Sequence, residues 1–153
     1  MSSTQWKPNT TVAAIIERDG RFLMVREQTD DGIRLNQPAG HLEHGETLLQ
    51  AVVREAREET AYDFTPQALV GIYLADKAGS DITYLRFAFS GDVGTHDPAQ
   101  QLDDGILGAE WLSADEIMAS VELWRSPLVG RCLQDYLAGQ RASLALIHHH
   151  LPD

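Results

Sequence analysis

Apolar residues come in short runs along this chain, and their spacing switches from alternate positions to a helical repeat and back. TTVAAIIER (10–18) and RFLMVR (21–26) are apolar and β-prone, with Asp19-Gly20 between them. An Asp-Gly pair accepts positive φ at both central turn positions, so a β-hairpin is expected there. EQTDDGIRLN (27–36) is polar, and the glycines and proline of QPAGHLEHGE (37–46) predict a loop. From Leu48 the period changes: Leu48, Leu49, Val52, Val53 and Ala56 share one helical face. Thr47 and Gln50 have capping-box spacing at the helix start, and the helix is expected to end near Thr60.

Beyond this helix, 69–75 and 82–90 read as two strands that pair, the second alternating Tyr84, Arg86 and Ala88 with Leu85, Phe87 and Phe89. GDVGTHDPAQQLDDG (91–105) is polar and turn-rich, which predicts a long mobile loop. Residues 106–112 form a last short strand. Ser113 and Glu116 repeat the capping box for a short helix, and Ser126-Pro127 opens a longer one that Gly139 can end. The order of elements predicts an α/β (α+β) fold, an α/β/α sandwich among the options, and leaves strand order open.

Composition narrows the class. At 153 residues, 43% of them hydrophobic and 23% charged, the chain is expected to form a single globular domain over 1–153. A net charge of -11 with no basic stripe excludes bulk nucleic acid as a partner. It does not exclude small phosphorylated ligands, because a bound divalent cation inverts the local field. The opening MSSTQWKPN lacks a signal-peptide core, and the run Val12 to Ile16 is too short to span a bilayer, so no membrane partner and a cytoplasmic location are expected. Cys132 stands alone, which fits a reducing compartment and a buried structural thiol. Met24 and Trp111 are expected in the core, and His41, His44 and the tail His148 to His150 in solvent.

The central helix carries an unusual charge pattern. At about 100° per residue, Glu58 lies roughly 60° to one side of Glu55 and Glu59 roughly 40° to the other, so three carboxylates share one flank. That flank borders the apolar face. Like charges spaced this way destabilise a helix by a few tenths of a kcal/mol per pair, about 0.2–0.5, and by more when desolvated. A multivalent cation removes the penalty, and Mg2+ prefers hard oxygen ligands that it shares with water and phosphate. A solvated face balanced by Arg54 and Arg57 is the bland alternative that spacing alone leaves open.

The wider motif favours the metal. Gly40, Glu46, Arg54-Glu55 and Glu58-Glu59, at their spacing within residues 40–62, resemble the signature of the Nudix hydrolases. The resemblance implies an α/β/α sandwich with a mixed central sheet, dependence on Mg2+ with Mn2+ able to substitute, and hydrolysis of phosphoanhydrides in small phosphorylated substrates. It implies Glu55, Glu58 and Glu59 as metal ligands with the Gly40 carbonyl beside them, and Glu55 also as a base. It further implies that Glu46 holds Arg54, which orients the glutamates. A further metal carboxylate is expected from Asp103 or Asp104. The sequence departs from the signature at Ala61, where a glycine is usual; a left-handed alanine there costs about 1 kcal/mol or more.

LNQPAGHLE, YLRFAF and RSPLVGRCLQDYLAGQR extend the similarity to the phosphatase NudJ group of that family. This implies release of orthophosphate from nucleoside di- and triphosphates, and from thiamine diphosphate or its hydroxymethylpyrimidine diphosphate precursor. The alternatives are a sanitising nucleoside triphosphate pyrophosphohydrolase that releases pyrophosphate, and a non-hydrolytic nucleotide-sensing module. Leu35 replaces a tryptophan common in the group, a lost stacking surface. Arg86 is a candidate phosphate contact, or else a surface ion pair, and Arg125 is a second candidate. Monomer and homodimer both remain open.

Overall fold

A computed structural model describes residues 4–152; the first three residues of the N-terminal stretch, and Asp153, lie outside it. Two four-stranded sheets form the frame. In the first, β1 (Asn9–Ile15) runs parallel to β7 (Thr83–His96), while β5 (Ala39–His41) and β6 (Tyr62–Asp76) join the two edges antiparallel, in the order β5-β1-β7-β6. In the second, β3 (Arg21–Thr29) lies between β8 (Ile106–Ser113) on one side and β2 (Glu17–Arg18) with β4 (Gly32–Asn36) on the other. Helix α1 (Leu48–Thr60) covers one face of the mixed sheet; α2 (Ala114–Met118) and α3 (Leu128–Leu137) cover the opposite one.

The run VAAII follows from this layering. Val12, Ala14 and Ile16 enter the core under α1, whereas Ala13 and Ile15 enter the core with Val129, Cys132 and Leu133 of α3. A strand covered on both faces is apolar at successive positions. Asp19 (φ 52°) and Gly20 (φ 76°) make the expected turn, but it closes only the short β2–β3 pairing; β1 itself runs into the other sheet.

Three expectations are corrected. Residues 32–36 and 39–41 are strands β4 and β5, not polar coil and loop. The pair read at 69–75 and 82–90 extends to Tyr62–Asp76 and Thr83–His96, so most of the first half of the supposed long loop is strand. Register shifts along β6 disrupt the alternation that would have revealed this length. The remaining stretch, 97–105, is tied down: Asp97 N–H donates to Ala61 O at 2.9 Å, and Gln100 exchanges two 2.6 Å bonds with the side chain and carbonyl of Arg57. Leu35 is fully buried in the α3-side core, so no exposed stacking platform stands there.

Candidate active site

Helix α1 presents the acidic flank in a fixed register. Its start is the expected capping box, with Gln50 N–H donating to Thr47 Oγ1 at 3.0 Å and Thr47 N–H donating to Gln50 Oε1 at 2.9 Å. Its end is Ala61 at φ 61°, whose N–H donates to Arg57 O at 3.0 Å. Between these caps, Ala51, Val52 and Ala56 anchor the helix in the core. Glu55 (8% exposed) and Glu59 (6%) are drawn into the protein with them, while the side chain of Glu58 stays 41% exposed.

Arg54 organises this flank. Its Nε donates to Glu46 Oε2 at 3.0 Å and its Nη2 to Glu46 Oε1 at 2.7 Å, a two-pronged charge-assisted grip. Nη1 reaches Glu55 Oε1 at 2.7 Å and Glu58 Oε2 at 3.2 Å, and Nη2 also donates to His41 O at 2.9 Å. The bond to Glu46 is the main reason the guanidinium is held above its ordinary pKa; the bond from Arg54 likewise lowers that of Glu46.

The strand β5 approaches from the opposite side. Ala39 N–H donates to Glu59 Oε1 at 2.8 Å. Gly40 lies so close to Glu55 that a Cβ there would overlap its carboxyl group, which is why no side chain fits. Burial pushes the Glu59 carboxyl up to about 9: the Ala39 bond opposes the rise, and the charges of Glu55, Glu27 and Asp103 add to it. Burial likewise lifts Glu55 to about 6, with Arg54 opposing and Glu58 and Asp103 adding.

The turn before β8 and the strand β3 complete the surround. Asp103 N–H donates to Glu58 O at 2.9 Å, which sets its carboxylate within electrostatic range of Glu55 and Glu59. Asp104 is exposed, one residue further round the turn. Arg125 forms an ion pair with Glu27 on β3 at 3.1 Å, so in this structure its guanidinium meets a carboxylate. For Arg86 the surface-ion-pair alternative is corrected: the residue is 6% exposed and, among the described residues, pairs with no carboxylate. Its guanidinium donates to Gln37 Oε1 and Asn36 Oδ1, each at 3.1 Å, and lies 3.8 Å from Cys132 Sγ. Gln37 in turn donates to Val129 O at 2.9 Å. Arg86 thus braces the segment leading into β5, between the sheet and α3.

Among the described residues, no three carboxylate, histidine or cysteine side chains already converge on one point as a ready-made cage. Arg54 Nη1 instead bridges Glu55 and Glu58. The donors are nonetheless all hard oxygens, half-buried and mutually repelling. That set suits Mg2+ or Mn2+, which keep waters and share carboxylates with phosphate oxygens.

Against known proteins, residues 6–132 match the NUDIX domain. This chain belongs to the Nudix family. As a Nudix hydrolase it acts on phosphoanhydrides, in a family that generally uses divalent metal ions. It is 39% identical over 145 residues to Phosphatase NudJ of Escherichia coli K12, covering 93% of this chain and 92% of that protein, and equally similar to the Shigella flexneri protein of the same name. A solved Nudix hydrolase from Nitrosomonas europaea superposes with a TM-score of 0.92 at 50% identity, covering 94% of this chain and 98% of the other. A UDP-X diphosphatase shares the fold at TM-score 0.73 and 20% identity, over 92% of this chain and 68% of its own length.

The motif reading brought together Gly40, Glu46, Arg54, Glu55, Glu58 and Glu59. It missed Glu27, which lay in a stretch read as polar and leading into loop. Leu23, Val25 and Glu27 share one side of β3, but Phe22 and Met24 are equally buried, so the run FLMV carried no alternation that pointed to Glu27. It also missed Asn36 and Gln37, whose burial depends on the distant Arg86.

Proposed function

We propose that this Nudix hydrolase requires Mg2+, with Mn2+ able to substitute, and that it releases orthophosphate from nucleoside di- and triphosphates and from thiamine diphosphate or hydroxymethylpyrimidine diphosphate. The observation that carries this reading is the half-buried flank Glu55–Glu58–Glu59 held by Arg54 and Glu46, in a chain 39% identical to Phosphatase NudJ over nearly its whole length. Glu55, Glu58 and Glu59, with the Gly40 carbonyl, would hold the divalent ion. When bound, the ion neutralises charge on the phosphates and acidifies a water molecule.

The protein's own groups do the rest. Glu55 accepts the proton of the attacking water. Arg54 fixes the rotamers of Glu55 and Glu58 from one side, and Ala39 N–H fixes Glu59 from the other. Asp103 supplies a further carboxylate from the neighbouring turn. No helix of the described residues is long and apolar enough to cross a membrane. The buried thiol of Cys132 suits a reducing cytoplasm.

Phosphorus NMR of the products tests the reading. ADP and thiamine diphosphate incubated with enzyme and Mg2+ are expected to yield orthophosphate and the monophosphate. Pyrophosphate as the sole small product from ATP, with both diphosphates left intact, would show instead a pyrophosphate-releasing enzyme.

A further inference from the structure

Glu27 lies outside the motif yet is fastened to it through the backbone. On β3 it pairs with Ile106 of β8, past a register irregularity between Arg26 and Glu27. Ile106 N–H donates to Asp103 O at 3.1 Å, and Asp103 N–H donates to Glu58 O at 2.9 Å. Gln28 N–H adds a 2.7 Å bond to Gly105 O. Strand, turn and helix are thereby locked, and Glu27 projects from the β3 side that carries buried Leu23 and Val25, toward the layer of α1. The extra residue of the irregularity is Leu107 on β8, so β3 itself keeps its alternation through Glu27. The charge of Glu27 adds to the lift on Glu59, consistent with that placement.

The partner of Glu27 is built differently from Arg54. Arg54 is 23% exposed at its side chain and bonded to three carboxylates and a carbonyl. Arg125 has its backbone fixed, its N–H donating to Leu35 O at 2.8 Å, but its side chain is 42% exposed and among the described residues pairs with Glu27 alone. Glu27 is the more enclosed member, at 18%. A guanidinium anchored at its root and loose at its tip can exchange one oxyanion for another, and a phosphate offers the same two-pronged acceptor geometry with more charge.

Given the phosphoanhydride-cleaving site proposed above, we propose that Arg125 and Glu27 form an exchangeable pair. In the free enzyme Arg125 neutralises Glu27; when a diphosphate binds, Arg125 transfers to a phosphate oxygen and leaves Glu27 as an added carboxylate of the cation site beside Glu59 and Asp103. Arg125 is then a substrate-binding residue and Glu27 a positioning residue whose charge is released only with substrate in place. The arrangement keeps the empty acidic pocket from accumulating repulsion and couples substrate binding to cation binding.

Calorimetric titration of the whole chain tests this, with Mn2+ alone and then with α,β-methylene-ADP in the presence of Mn2+. Arg125→Gln is expected to tighten Mn2+ binding by about two- to fivefold, the range of a partly exposed ion pair. It should weaken the analogue by about tenfold or more, as loss of a charge-assisted bond does. Glu27→Gln is expected to weaken Mn2+ binding by about two- to fivefold, and by more with the analogue bound than without it, because Glu27 joins the cation site only once Arg125 has left it. Arg125→Lys should recover part of the analogue affinity. A fixed ion pair acts through its field alone and leaves the coupling between Mn2+ and the analogue as in wild type, whereas exchange requires that coupling to fall in both variants. Both affinities within about twofold of wild type in both variants, or a Mn2+–analogue coupling as strong as wild type in either, would overturn the exchange. Wild-type protein that neither binds Mn2+ nor cleaves ADP would remove the functional reading itself.

Discussion

At the residue scale, the site depends on close approach more than on unusual chemistry. Gly40 has no side chain because the Glu55 carboxyl group occupies that space. Gly40→Ala is expected to displace Glu55 from Arg54, lowering kcat by about 10- to 100-fold and stability by about 1–3 kcal/mol. Wild-type kcat with an unchanged melting curve would show that Glu55 relocates freely. The flank of Glu55, Glu58 and Glu59 was legible because fixed spacing along one helix sets which side chains share a side, whereas the Glu46–Arg54 grip was legible only through the family resemblance, since Glu46 precedes the helix. Arg86 was not. Its alternation on β7 showed that it shares a face with Ala88, but burial of a guanidinium against two amides 49 and 50 residues away depends on strand order, which no local pattern contains.

At the element scale, caps and turns were the readable features. Both capping boxes and the Asp19-Gly20 turn stand where their sequences place them, because each is satisfied within a few residues. Strands β4 and β5 were hidden, since each is short and β5 draws its partner from β1, nearly 30 positions earlier in the chain. The exit of α1 offers a direct test. Ala61 adopts φ 61°, a left-handed cap that glycine occupies without the Cβ penalty. Ala61→Gly should therefore stabilise the protein by about 1 kcal/mol and raise Tm by about 2–4 °C. A lower Tm would mean that the buried methyl of Ala61 contributes more than its backbone strain removes.

For the whole molecule, charge and burial set a pH dependence. Glu55 and Glu59 have folded-state pKa values of about 6 and about 9, against an ordinary 4.5, so the folded protein binds these protons more tightly than the unfolded chain. Their contribution to stability is fully present below about 4.5 and is lost as pH rises toward 9. Metal-free protein should accordingly show a falling Tm between pH 6 and 9. Mg2+ should flatten the fall by replacing the proton at the site, and Glu59→Gln should flatten it without metal. A metal-free Tm that rises over this range would contradict the burial of Glu59. The mixed architecture was legible from the order of elements, whereas the apolar run of β1 suggested a hairpin strand and not one covered on both faces. The pairing of β3 with β8, which brings Glu27 near Glu59, was not legible, because it joins positions some 80 residues apart.

The central claim is that the acidic flank of α1 holds a divalent ion against a diphosphate for attack by water. Steady-state turnover of ADP with Mg2+, comparing wild type with Glu58→Gln and Glu59→Gln at equal folded fraction, tests it most directly. The account predicts kcat lowered at least about 100-fold in both variants, as expected when a group stabilising the transition-state charge is removed. Wild-type turnover in either variant would contradict it.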